Sequence, residues 1–98
     1  MKDFKEITSG IVMLVEVKRK LLNERILLIA VIDELKVIIH KLNDWINLTN
    51  HNVNYVHFYD TITDITSVIS SFQHKLQEIE FYISNEKLLI EKFKIKGV

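Results

Sequence analysis

From Phe4 onward, apolar residues recur in alternating steps of three and four. The row runs Phe4, Ile7, Ile11, Leu14, Leu21, Leu28, Ile32, Leu35, Ile39, Leu42 and Ile46, interrupted only by Lys18 and Arg25. Steps of three and four keep one stripe of a 3.6-residue helix facing a neighbour, and Leu14, Leu21, Leu28, Leu35 and Leu42 extend it one residue in seven. The pattern predicts a helix over about 3–48, with Asp3 as N-cap and Glu6 as its N3 partner. Gly10 weakens the pattern locally, so the ordered helix is expected to begin nearer Ser9.

The polar stretch NLTNHNVN, residues 47–54, ends that row. Asn tolerates left-handed backbone and caps helices, which predicts a turn at about 49–53. A second row follows at once: Tyr55, Phe58, Ile62, Ile65, Ile69, Phe72, Leu76, Ile79, Ile83, Ile90 and Phe93, broken only by Glu86. It predicts a second helix over about 54–96 with Gly97 as its C′ stop. A break near Asp60, where Asp60 or Thr61 could cap a fresh helix, is the alternative. So short a connection makes the two helices antiparallel, placing Leu14 near Leu88 and Trp45 near His57. The fold class is all-α: one domain over 1–98, a long antiparallel, coiled-coil-like helical hairpin.

The rows leave a surplus. Helix 1 also carries Val15, Leu22 and Ile29 on one flank and Val17, Val31, Ile38 and Trp45 on the other, with Ile26 and Leu27 further round. In helix 2, Phe81, Leu88 and Ile95 repeat every seven residues opposite the seam. Burying a large aliphatic side chain is worth about 1.5–3 kcal/mol, so six or seven of them favour association by on the order of ten kcal/mol gross, before ordering costs. Ile26, Leu27, Val31, Ile38, Trp45, Phe81, Leu88 and Ile95 are therefore the expected protein interface. A second copy is the first candidate to cover it, giving a homodimeric four-helix bundle, and a different helical protein is the second. Lys18 and Arg25 lie in the seam. Either their heads reach water, Glu91 or Glu86, or they set register and partner choice.

Composition narrows the function classes. Thirteen basic residues balance thirteen acidic ones, and a neutral chain lacks the cationic surface that general nucleic-acid binding needs. With no Cys, thiol catalysis, disulfides and zinc–thiolate sites are excluded. The longest unbroken apolar run, residues 26–32, is far short of the roughly 20 residues that span a bilayer. The opening MKDFKEITSG lacks the apolar core of a signal peptide, so a cytoplasmic location is the default expectation. His40, Asp44, His51 and His57 gather near the turn, and His with carboxylate suits zinc. Without an HExxH or paired ExxH motif they read as surface or capping histidines, and no cofactor is expected. The aromatic run YVHFY at 55–59 reads as the close of the bundle end against Trp45 and Ile46, with Tyr59 the most exposed.

Two resemblances bear on function. KLLNERILLIAVIDELK resembles the first long helix of the all-helical chorismate mutases, with Arg25 and Lys36 at the family's spacing. That family's other helix-1 cation falls near Thr8, and its following Arg and acid fall near Leu48 and Thr49. The cations a dicarboxylate substrate needs are thus missing, and the chain is expected not to be an enzyme. Trp45 in WIN, with Tyr82 and Glu86 in YISNE, resembles the secreted WXG (ESX-type) hairpins, although Asn47 stands where that family has Gly. That resemblance implies a hairpin that pairs with a partner protein. The residues themselves point to a non-enzymatic interaction or assembly module. One form is a small regulator or inhibitor of the kind mobile elements encode, an expectation that rests on small size and Ile/Asn/Lys-rich composition.

Overall fold

In the computed structural model, which describes residues 3–48 and 56–98, every regular element is a helix: α1 (Phe4–Leu48), α2 (Val56–Ser84) and α3 (Glu86–Lys92). The expected turn, with His51 and Tyr55, lies outside the described residues. The chain divides into two compact units, one of Met1–Leu27 with Leu76–Val98, the other of Leu28–Lys75.

α1 starts where Asp3 can serve it. The Asp3 carboxylate accepts the Glu6 N–H at 2.7 Å, satisfying one of the orphan donors of the first turn, and the Ile7 N–H donates the first helical bond to the Asp3 carbonyl at 3.1 Å. The helix therefore begins ahead of Gly10 rather than near Ser9. α2 runs through Asp60 and Thr61 without a break. Thr61, Thr63 and Thr66 each donate their hydroxyl to the carbonyl four residues back, at 2.8, 2.9 and 2.7 Å. A hydroxyl satisfied in that way does not compete to cap a new helix.

In the first unit the paired segments run antiparallel: Lys18 forms an ion pair with Glu86, while Gly10 lies against Lys96. Leu21, Ile79, Leu89 and Ile95 form its buried core, with Leu14, Val17, Arg25, Leu76, Ile83 and Ile90 half-buried around them. The Lys18–Glu86 pair is roughly half exposed, so its net worth is about 0–1 kcal/mol. In the second unit Ile32, Ile46 and Ile69 are buried. Leu28, Leu35, Ile39, Leu42, Phe58, Ile62, Ile65 and Phe72 are half-buried. The last turns of α1 meet the first turns of α2 there, where the Trp45 and Phe58 rings lie 4.6 Å apart at a 38° tilt. The 3–4 rows read from the sequence supply nearly all of these residues.

The second row does not stay on one helix to residue 96. The chain breaks at Asn85 (φ −128°, ψ 78°) and restarts as α3, and the Asn85 side-chain amide donates to the Phe81 carbonyl at 2.9 Å. An Asn can leave helical geometry and cap its neighbours, which the hydrophobic spacing alone does not register. α3 then closes in a Schellman motif. The Lys94 N–H bonds to the Glu91 carbonyl (3.3 Å) and the Ile95 N–H to the Ile90 carbonyl (3.0 Å), with Lys94 in left-handed backbone at φ 53°. Lys94, not Gly97, is the C′ residue. A side chain with a Cβ is disfavoured there. Lys94→Gly is therefore expected to raise stability by about 0.5–1 kcal/mol, read as a higher urea midpoint at unchanged slope.

Gly10 and Gly97, the chain's two glycines, meet at one crossing. A Cβ on Gly10 would overlap the Lys96 carbonyl, and one on Gly97 (φ 91°) would overlap the Glu6 carbonyl. Only glycine lets backbone approach backbone so closely. The crossing also alters the start of the first row. α3 ends at Lys92, and Phe4, Ile7 and Ile11 stay exposed.

Candidate protein-interaction surface

α1 carries apolar side chains on more than its seam. One outward row, Val12, Val15, Leu22 and Ile26, keeps the 3–4 spacing with Arg19 filling its gap, roughly 100° round the helix from the seam. All four are exposed, Ile26 at 66%. A shallow cleft along this row is lined by Ile11, Val12, Val15, Glu16 and Arg19, an apolar floor flanked by one acid and one base. On the other flank of the same unit, Met13 is exposed, Val17 half-buried and Leu27 63% exposed. A helix that is apolar nearly all round is ordinarily enclosed by several neighbours. This one has a single layer against it.

Of the interface residues expected in the first unit, Ile26, Leu27, Phe81 and Leu88 lie on the surface. Phe81 and Leu88 line a notch with Tyr82, Glu91 and Lys92, and the Phe81 and Tyr82 rings meet edge to face at 5.5 Å. Ile95 departs from the expectation: it is 5% exposed. The break at Asn85 and the reversal at Lys94 shift the register, so the residue that a continuous helix would turn outward is folded into the core. Leu89, absent from both sequence rows, becomes fully buried for the same reason. In the second unit Ile38 and Trp45 are exposed and Val31 is half-buried. A further cleft there joins Val37 and Ile38 to Asp33 and Glu34. Val12 and Val37 are surface residues that the flank rows do not contain; their exposure depends on what packs against α1.

The polar candidates are spread out. His40 Nε2 lies 3.5 Å from the Asp44 carboxylate one turn away, both well exposed, and His57 is exposed on α2. Among the described residues, no three His, Cys, Asp or Glu side chains group so as to hold a metal ion. Arg25 is half-buried in the first unit and Lys36 exposed in the second. Among the described residues no helix is long and apolar enough to cross a membrane. No protein-family model, curated protein or solved structure matches the chain. The surface itself is thus the basis for a functional reading.

Proposed function

We propose that this chain is a non-enzymatic interaction module that self-associates through the outer flanks of α1 and the notch at Phe81 and Leu88, giving a homodimeric helical bundle. The observation that carries this reading is the exposure of a second 3–4 row, Val12, Val15, Leu22 and Ile26, on a helix already committed along its first. Contiguous apolar patches on soluble chains mark interfaces, and 3–4 rows are met by other helices. The one acid and one base at the cleft, Glu16 and Arg19, suit a neutral, helical protein surface better than the phosphate-rich surface of a nucleic acid. A small regulator or inhibitor that presents this surface to a protein target is the biological form the reading favours.

Sedimentation equilibrium tests it. The 11.6 kDa chain is expected to give twice its mass at micromolar concentration, and Ile26→Glu with Leu22→Glu to return it to one chain without loss of helix. A charge placed in an interface core stays uncompensated there, so the dissociation constant is expected to rise at least a hundredfold. A wild-type chain that sediments as a single copy up to several hundred micromolar defeats the reading.

A further inference from the structure

Beyond Ile26 the outward row of α1 continues as Ala30, Asp33 and Val37, all exposed, on the same 45-residue helix. Counted from Ile26, the row reads alike in both directions. Leu22 and Ala30 stand four residues away, Arg19 and Asp33 seven, and Val15 and Val37 eleven. Steps of four, seven and eleven each return to one face of a 3.6-residue helix. Ile26, at the centre, is the most exposed large apolar side chain of α1 apart from Phe4 and Leu48 at its ends.

The mirror keeps apolar against apolar and reverses charge. Arg19 and Asp33 are both exposed, and among the described residues neither joins an ion pair within the chain. Each borders an apolar cleft of its own unit, Arg19 beside Val12 and Val15, Asp33 beside Val37 and Ile38. We infer that a second copy docks with its α1 antiparallel to this one, on a two-fold axis at Ile26, so that Arg19 of each copy meets Asp33 of the other. This rests on the self-association proposed above and fixes its register. The axis exchanges the two arms of the row, so Val15 meets Val37 and Ile26 meets itself. Parallel pairing of the same row would set Arg19 against Arg19 and Asp33 against Asp33. Sliding the antiparallel pair by one heptad, in either direction, would set Arg19 or Asp33 against Ile26 with no counter-charge. Charges on an apolar seam select register in this way, by what they forbid as much as by what they add. Glu16 and Glu34 lie further round the helix, at the solvent edge of the pairing, where water and salt screen them.

Because the chain has no Cys, Val15→Cys and Val37→Cys each introduce a unique thiol. Full-length chains of the two kinds are mixed and oxidised without denaturant. The expected product is a disulfide-linked dimer joining one kind to the other, with little from either kind alone. Arg19→Asp and Asp33→Arg are each expected to raise the dissociation constant by about tenfold or more in sedimentation equilibrium, because each creates two like-charge contacts across the axis. Both substitutions in one chain restore opposite charges, and the constant is expected to return to within about threefold of wild type. Two results overturn the register while leaving self-association standing. One is a dimer in which Val15→Cys chains link to each other as readily as to Val37→Cys chains. The other is a doubly substituted chain that pairs no more tightly than either single variant. A wild-type chain that stays single leaves the row to a different protein, and overturns both the register and the self-association beneath it.

Discussion

Leu89→Ala is expected to destabilise the chain by about 2–5 kcal/mol, the range for removing a fully buried Leu and leaving a cavity the surroundings only partly fill. Leu89 is completely buried, whereas its neighbour Leu88 lies on the surface. In a chain kept single by Leu22→Glu and Ile26→Glu, Leu88→Ala is therefore expected to change stability by less than about 1 kcal/mol. Chemical denaturation of the two variants side by side reads the contrast. A continuous helix in the register of the second apolar row offers no reason for this order, since Leu89 belongs neither to the row nor to its outer repeat. Equal losses from the two substitutions would mean that the break at Asn85, and the register it imposes on α3, are absent in solution. The loss matters because single-domain proteins of this size are stable by only about 5–15 kcal/mol.

Gly10→Ala carries the second large effect, and its sign is the informative part. In an exposed helix interior, replacing Gly with Ala gains about 1 kcal/mol from helix propensity. Here the new Cβ would overlap the Lys96 carbonyl, a backbone atom that cannot rotate away as a side chain would. Either the C-terminal segment lifts or α1 shifts, and overpacking of this kind costs about 1–3 kcal/mol. A net loss of up to about 2 kcal/mol is expected in thermal or urea unfolding, with faster hydrogen exchange of the Leu89 and Ile95 amides as the C-terminal segment loosens. Gly10→Val is expected to lose more, since its branched side chain gains less propensity and needs more room. A stabilised Gly10→Ala chain would show that this segment does not lie against α1 in solution.

Much of the architecture was legible from spacing alone. The 3–4 rows predict helices that pair, and the residues they select include most of those the structure buries, Leu21, Ile32 and Ile46 in α1 and Ile69 and Ile79 in α2, although Phe4, Ile7, Ile11 and Phe93 stay exposed. The N-cap was legible too, because a short side chain at Asp3 ahead of an apolar row has a local mechanism that needs no tertiary partner. The apolar flanks of α1 were visible as a surplus, and Ile26, Leu27, Ile38 and Trp45 do lie on the surface.

The path of the C-terminal segment was not legible, for a physical reason. Continuing α2 through Asn85 would keep the helical hydrogen-bond ladder whole, whereas stopping there orphans backbone groups on both sides, so local pattern reads straight through the break. The choice falls to contacts far apart in sequence: Gly10 admits the Lys96 backbone, Lys18 meets Glu86, and Ile95 gains a core position. The two glycines illustrate the division. Alone, Gly10 reads as a weak point in a helix and Gly97 as a stop signal. Only the fold shows them to be two sides of one backbone crossing, with the stop made by Lys94 instead. Helix type and pairing follow from periodicity, which each segment carries within itself; the path of the last thirteen residues depends on close approach between segments about 85 residues apart, which tertiary packing alone decides.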